Sequence, residues 1–144
     1  MASVNFLISA DITSSDGASH TVGSATSKVK VSVTGSIEER IRSLAANAIW
    51  TPWDELSSTL ADFQVLIIVA DADVEIELSV DRDGANERVF IVRASANVPF
   101  ILSSGKSRNG YVKNWAAGTE DNIDRIRIKN ISTSTAIVRF MIVK

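Results

Sequence analysis

Val74-Glu75-Ile76-Glu77-Leu78-Ser79-Val80 decides the class of fold. Apolar and polar side chains alternate with a period of two and β-branched residues fill most apolar positions, which is the pattern of a strand with one buried face. Working outward, the alternation returns at Lys28-Val29-Lys30-Val31-Ser32-Val33 and at Arg125-Ile126-Arg127-Ile128-Lys129. Just upstream, Gln64-Val65-Leu66-Ile67-Ile68-Val69-Ala70 is apolar almost throughout and reads as a buried strand. The segment Ala136-Ile137-Val138-Arg139-Phe140-Met141-Ile142-Val143 reads as a long final strand, in which Arg139 marks a face that is partly wet or covered by another surface.

Turn signals punctuate these runs at Asp71-Ala72-Asp73, Asp83-Gly84-Ala85-Asn86, Ser104-Gly105, Asn109-Gly110 and Ser132-Thr133-Ser134. Residues 63–94 read as a three-strand meander, and Pro99 breaks the sheet before a short strand at 100–103. Adding strands near 5–11, 28–34, 123–129 and 135–143 brings the count to about eight, the number of a jelly roll. The expected fold is all-β, one antiparallel jelly-roll-like β-sandwich over residues 1–144. Two segments read differently. Ser36-Ile37-Glu38-Glu39 fits a capping box, with Ile37, Ile41, Leu44, Ala45 and Ala48 on one helical stripe. A strand with Ile37, Ile41 and Ala45 on one face fits residues 36–48 equally. The block 13–27, almost wholly Ser, Thr, Gly, Asp and Ala, reads as a polar loop or an arm that orders on a partner.

Composition narrows the function classes. The 144 residues are 45% hydrophobic and 22% charged, enough for an ordinary core in one domain. With no cysteine, a disulfide framework, a zinc ribbon, an iron–sulfur centre and thiol catalysis are excluded. A formal charge of −2 supplies no global field for DNA or an anionic membrane. The longest apolar run, Val65 to Ala70, is about a third of a membrane-spanning helix. The N-terminal stretch has neither a basic leader region nor an apolar signal core. Neither membrane association nor export by that route is expected.

Candidate chemistry is sparse. His20 is the sole imidazole and lies in the polar block, where no sequence neighbour would orient it as a base. Glu75 and Glu77 share a strand face about 7 Å apart, a glycosidase-like separation, but on a sheet surface rather than in a cleft. Asp81-Arg82-Asp83-Gly84 begins like a calcium loop, yet Ala85 stands where the next ligand belongs and no closing Glu follows. Lys106, Arg108 and Lys113 interleave with Tyr111 and Trp115, a pattern that suits single-stranded nucleic acid or, with fewer demands, a solvated or protein-facing loop. Trp50-Thr51-Pro52-Trp53 places two indoles around a proline, which a regular strand cannot turn to the same face. It reads as an aromatic corner plugging the sandwich, as a protein-contact anchor, or, with Trp115, as a carbohydrate platform. No catalytic residue, metal ligand or cofactor is expected. The partner-contact candidates are Trp50, Trp53, Lys106, Arg108, Tyr111, Lys113 and Trp115.

Over residues 60–144, the order of Asp62-Phe63-Gln64-Val65-Leu66-Ile67-Ile68, Val74-Glu75-Ile76-Glu77-Leu78, Pro99-Phe100-Ile101-Leu102-Ser103-Ser104, Ile123-Asp124-Arg125-Ile126-Arg127-Ile128-Lys129-Asn130 and Ala136-Ile137-Val138-Arg139 resembles small jelly-roll virion proteins of tailed bacteriophages, above all capsid decoration (cement) proteins. The resemblance implies a non-enzymatic protein on the outside of the capsid, made in the host cytoplasm, bound to the major capsid protein lattice as a dimer or trimer. Nucleic acid is not an expected partner. The polar block would then be an arm across a capsomer seam. A carbohydrate-binding sandwich and a tail or baseplate accessory protein of the same fold are the alternatives.

Overall fold

The computed structural model describes residues 2–6, 9–13, 19–23, 29–33, 37–58, 63–80, 87–103, 111–114 and 119–143, and the side chains of 37–58, 63–80, 87–102 and 123–143. These residues hold thirteen strands and no helix. They fall into two compact units, Met1–Gly35 and Ser36–Lys144.

In the first unit β1 (Ala2–Phe6) pairs antiparallel with β4 (Val29–Val33), and β2 (Ser9–Thr13) with β3 (Ser19–Gly23). The single strand expected near 5–11 is thus two. Part of the polar block is also strand, with Thr13 opposite Ser19 and His20 opposite Ile12. Backbone pairing along a ladder makes no demand on side-chain polarity.

The second unit is a β-sandwich with jelly-roll connectivity. Its strands are β5 (Ile37–Leu44), β6 (Ile49–Asp54), β7 (Val65–Ala70), β8 (Val74–Val80), β9 (Arg88–Ala94), β10 (Phe100–Ser103), β11 (Tyr111–Asn114), β12 (Thr119–Asn130) and β13 (Ala136–Val143). With β11 set aside, the first strand pairs with the last (β5 with β13), the second with the seventh (β6 with β12), the third with the sixth (β7 with β10) and the fourth with the fifth (β8 with β9). This long hairpin is wound so that β7 also meets β13 and β8 also meets β12. The result is two antiparallel sheets, β10-β7-β13-β5 and β6-β12-β8-β9, with β11 extending the N-terminal end of β12.

One expectation changes and one open alternative is decided. Residues 63–94 are not a meander: β7 belongs to one sheet and β8 to the other, and only β8 and β9 form a hairpin. Residues 37–44 are strand rather than helix. The edge of β13 offers a partner to every residue from Ile37 to Leu44, which outweighs a helical stripe with a weak face.

Between the sheets lie Leu66, Ile68, Val138, Phe140 and Ile142 from one side, and Val74, Ile76, Leu78, Ile123, Ile126 and Ile128 from the other. Asn130 is the core's fully buried amide. Its Nδ2 donates to the carbonyls of Leu44, Ala45 and Ser134 at 2.7–3.1 Å, and its Oδ1 accepts from the backbone N–H and hydroxyl of Ser132. One side chain thereby ties the turn after β12 to the end of β5 in the opposite sheet.

Candidate interaction surface

Trp50 and Trp53 leave the surface first. Trp50 stands opposite Ile128 and Trp53 opposite Ile126, so three steps along β6 match two along β12. That β-bulge over Thr51 and Pro52 turns both indoles to the same face. Trp53 is 1% exposed and meets Phe63 edge-on at 5.2 Å, and Trp50, 7% exposed, meets Phe140 at 6.2 Å. As contact candidates, and as two-thirds of a carbohydrate platform, Trp50 and Trp53 are therefore corrected: both are core residues. Lys106, Arg108 and Trp115 lie outside the described residues, as do Asp81 to Gly84. Tyr111 and Lys113 fall on β11, opposite Asn122 and Glu120.

The sheet containing β12 has a charged outer face. Arg127 grips Glu77 with two bonds, Nε to Oε1 at 2.6 Å and Nη2 to Oε2 at 2.7 Å. Arg125 donates to Ser79 Oγ at 3.2 Å and to Glu87 at 3.0 Å, and Arg93 stands 3.8 Å from Glu75. These contacts follow from register, which sets Arg127 opposite Glu77, Arg125 opposite Ser79 and Arg93 opposite Glu75. Glu75 and Glu77 line a depression of about 240 Å³ with Ile49, Ile91, Arg127 and Lys129. With both Glu77 oxygens held by a guanidinium, the two acids are a poor pair for glycoside chemistry, which needs one to act as acid and the other as base or nucleophile. Among the described residues no group of three or more His, Cys, Asp or Glu could hold a metal ion.

The sheet containing β13 differs. Its outer face carries Ile37 and Ile41 from β5, Ile137 and Met141 from β13, Ile67 and Val69 from β7 and Ile101 from β10, aligned across the strands by register. Ile37 and Ile41 are each 59% exposed, Ile137 54% and Ile101 40%. One exposed ion pair, Arg139 to Glu39 at 3.4 Å, crosses this apolar field. A second depression of about 240 Å³ opens beside it, lined by Val69, Ala70, Asp71, Asn97, Ile137 and Arg139. Its rim is fixed by local bonds: Asp71 Oδ1 accepts the Ile137 N–H at 2.7 Å, and the Asn97 N–H donates to the Ala70 carbonyl at 2.7 Å. An exposed multi-strand apolar face of this kind is the mark of an interaction surface.

Sequence reasoning did not single out these exposed isoleucines. The available signal was that β7 and β13 are apolar at both parities, so each strand must be covered on two sides, yet the chain has one sandwich core to offer. Comparisons with protein-family models, with curated proteins and with solved structures give no significant match.

Proposed function

We propose that this chain is a non-enzymatic structural protein of a tailed-phage particle, a capsid decoration protein that binds the outside of the major capsid protein lattice and braces neighbouring capsomers. The observation that carries the reading is the apolar outer face of the β13 sheet, centred on Ile41, Ile137 and Ile101, on a jelly-roll frame. The order of strand phrases from residue 60 onward, similar to that of decoration proteins, gives this face its occupant. A protein that binds only the assembled shell stabilises it by mass action, and an oligomer multiplies weak contacts through effective concentration. A dimer or trimer is the working unit, made in the host cytoplasm and carried on the virion exterior.

Density-gradient sedimentation of particles from infected cells tests this. The protein is expected in the fraction containing full shells, at stoichiometric abundance with the major capsid protein. Recovery only in the unassembled fraction would overturn the reading.

A further inference from the structure

The four outer strands of the two sheets differ in how their open edges are protected. Strand β5 turns Glu38, Arg40 and Arg42 inward, opposite the buried Ile142, Phe140 and Val138. There Arg40 pairs with Glu38 and donates to the Pro52 carbonyl at 2.8 Å, while Arg42 lies 5.9 Å from the Trp50 ring. Strand β6 carries Pro52 within it, and β10 is four residues long and follows Pro99. Inward charge, proline and shortness each discourage a foreign strand from adding to an edge. Strand β9 has no proline and is not short, and its one charge on the inward parity is Arg88, at its first position opposite the buried Val80. It is seven residues long and pairs only with β8 among the described residues. Its Val89, Phe90, Ile91 and Val92 are 38–62% exposed, two on each face.

We propose that β9 is the homodimer edge, pairing antiparallel with β9 of a second copy about a two-fold axis through Phe90, so that the β12 sheets of two chains run on as one. The sequence is complementary to itself in this register. A two-fold perpendicular to the sheet keeps each face on its own side, so every residue must oppose one of the same parity. Centred on Phe90, it sets Phe90 against the second copy's Phe90, Val89 against Ile91, Arg88 against Val92 and Glu87 against Arg93. Centred on Val89 it would set Glu87 against Ile91, and centred on Ile91 it would set Arg93 against Val89. The Phe90 register alone of these three joins opposite charges, and does so twice. Within its own chain Arg93 stands 3.8 Å from Glu75 and Glu87 3.0 Å from Arg125, and with side chains 66% and 37% exposed each keeps a solvent-facing side for a partner across the edge. A single strand pair buries less than a standard interface of about 1,600 Å², so a reversible dimer is expected. The inference rests on the oligomeric part of the proposed function and is independent of the capsid part.

Sedimentation velocity of the full chain over a concentration series tests it, with no capsids present. A reversible monomer–dimer equilibrium is expected, weakened about 10-fold or more by Ile91→Lys, which places a charge on the edge without touching the core. Because the chain has no cysteine, introduced thiols report the register directly. Under mild oxidation, Phe90→Cys with itself, or Val89→Cys mixed with Ile91→Cys, is expected to cross-link, according to which opposing pair is the closely spaced one. A chain that stays monomeric, a dimer indifferent to Ile91→Lys, or cross-linking of Ile91→Cys with itself instead would overturn the proposal. Failure here leaves co-sedimentation with full shells unaffected, so the two readings fall separately.

Discussion

The two outer faces of the sandwich share one core and solve opposite problems. Across β12, β8 and β9 the outward side chains are mainly ionic, and register matches them within the chain: Arg127 with Glu77, Arg125 with Ser79 and Glu87, Arg93 with Glu75. Across β5, β13, β7 and β10 the outward side chains are mainly apolar, and nothing among the described residues covers the most exposed of them. The first face matches most of its charges within its own sheet, leaving Ile49, Val89 and Ile91 exposed toward its edges. The second leaves apolar area whose removal from water is worth about 25 cal/mol per Å². A contact surface is recognised here by what the chain leaves unmatched, rather than by reactive groups.

If the contrast depends on a shared scaffold, cutting that scaffold must damage both faces together. Trp53→Ala removes the buried ring that packs on Phe63 and is expected to cost about 4 kcal/mol, read as the midpoint shift in urea unfolding. Asn130→Ala strands the Leu44, Ala45 and Ser134 carbonyls and is expected to cost about 3 kcal/mol in the same assay. The faces then separate. Glu77→Gln takes the counter-charge from Arg127, and because these side chains are 18% and 37% exposed the expected loss is about 1 kcal/mol, diminishing as salt is added. Ile41→Lys with Ile137→Lys alters only exposed positions of the apolar face and is expected to change stability by less than about 0.5 kcal/mol. A large loss from that last pair would mean that the isoleucines hold the fold and are not a free surface.

Much of the sandwich was legible because period-two alternation survives folding wherever a strand has one wet side. Val74 to Val80 is the clearest case, and Phe100 to Ser103 was placed to the residue. Pairing was less legible. Nothing in the composition of 64–70 and 74–80 says that the chain crosses from one sheet to the other at Asp71-Ala72-Asp73, since a crossing and a hairpin turn use the same residues. Residues 37–44 were ambiguous because apolar positions four apart suit a helix stripe and a strand face alike. The surface was the least legible part. Tryptophans around a proline stand out in a sequence, yet the bulge at Thr51 and Pro52 sends both inward. Isolated isoleucines look like core, yet Ile37, Ile41 and Ile137 face outward. Aromatic content says how much a side chain can contribute to a contact, and only the fold says which side it is on.

Co-sedimentation of purified wild-type protein and the Ile41→Lys, Ile137→Lys variant with expanded, undecorated shells of the phage that encodes the chain tests the role of the apolar face most directly. The wild type is expected to pellet with the shells and the variant, melting at the same temperature, to stay in the supernatant. Equal pelleting of the two, or failure of the wild type to pellet, would contradict the assignment of that face as the surface that meets the capsid.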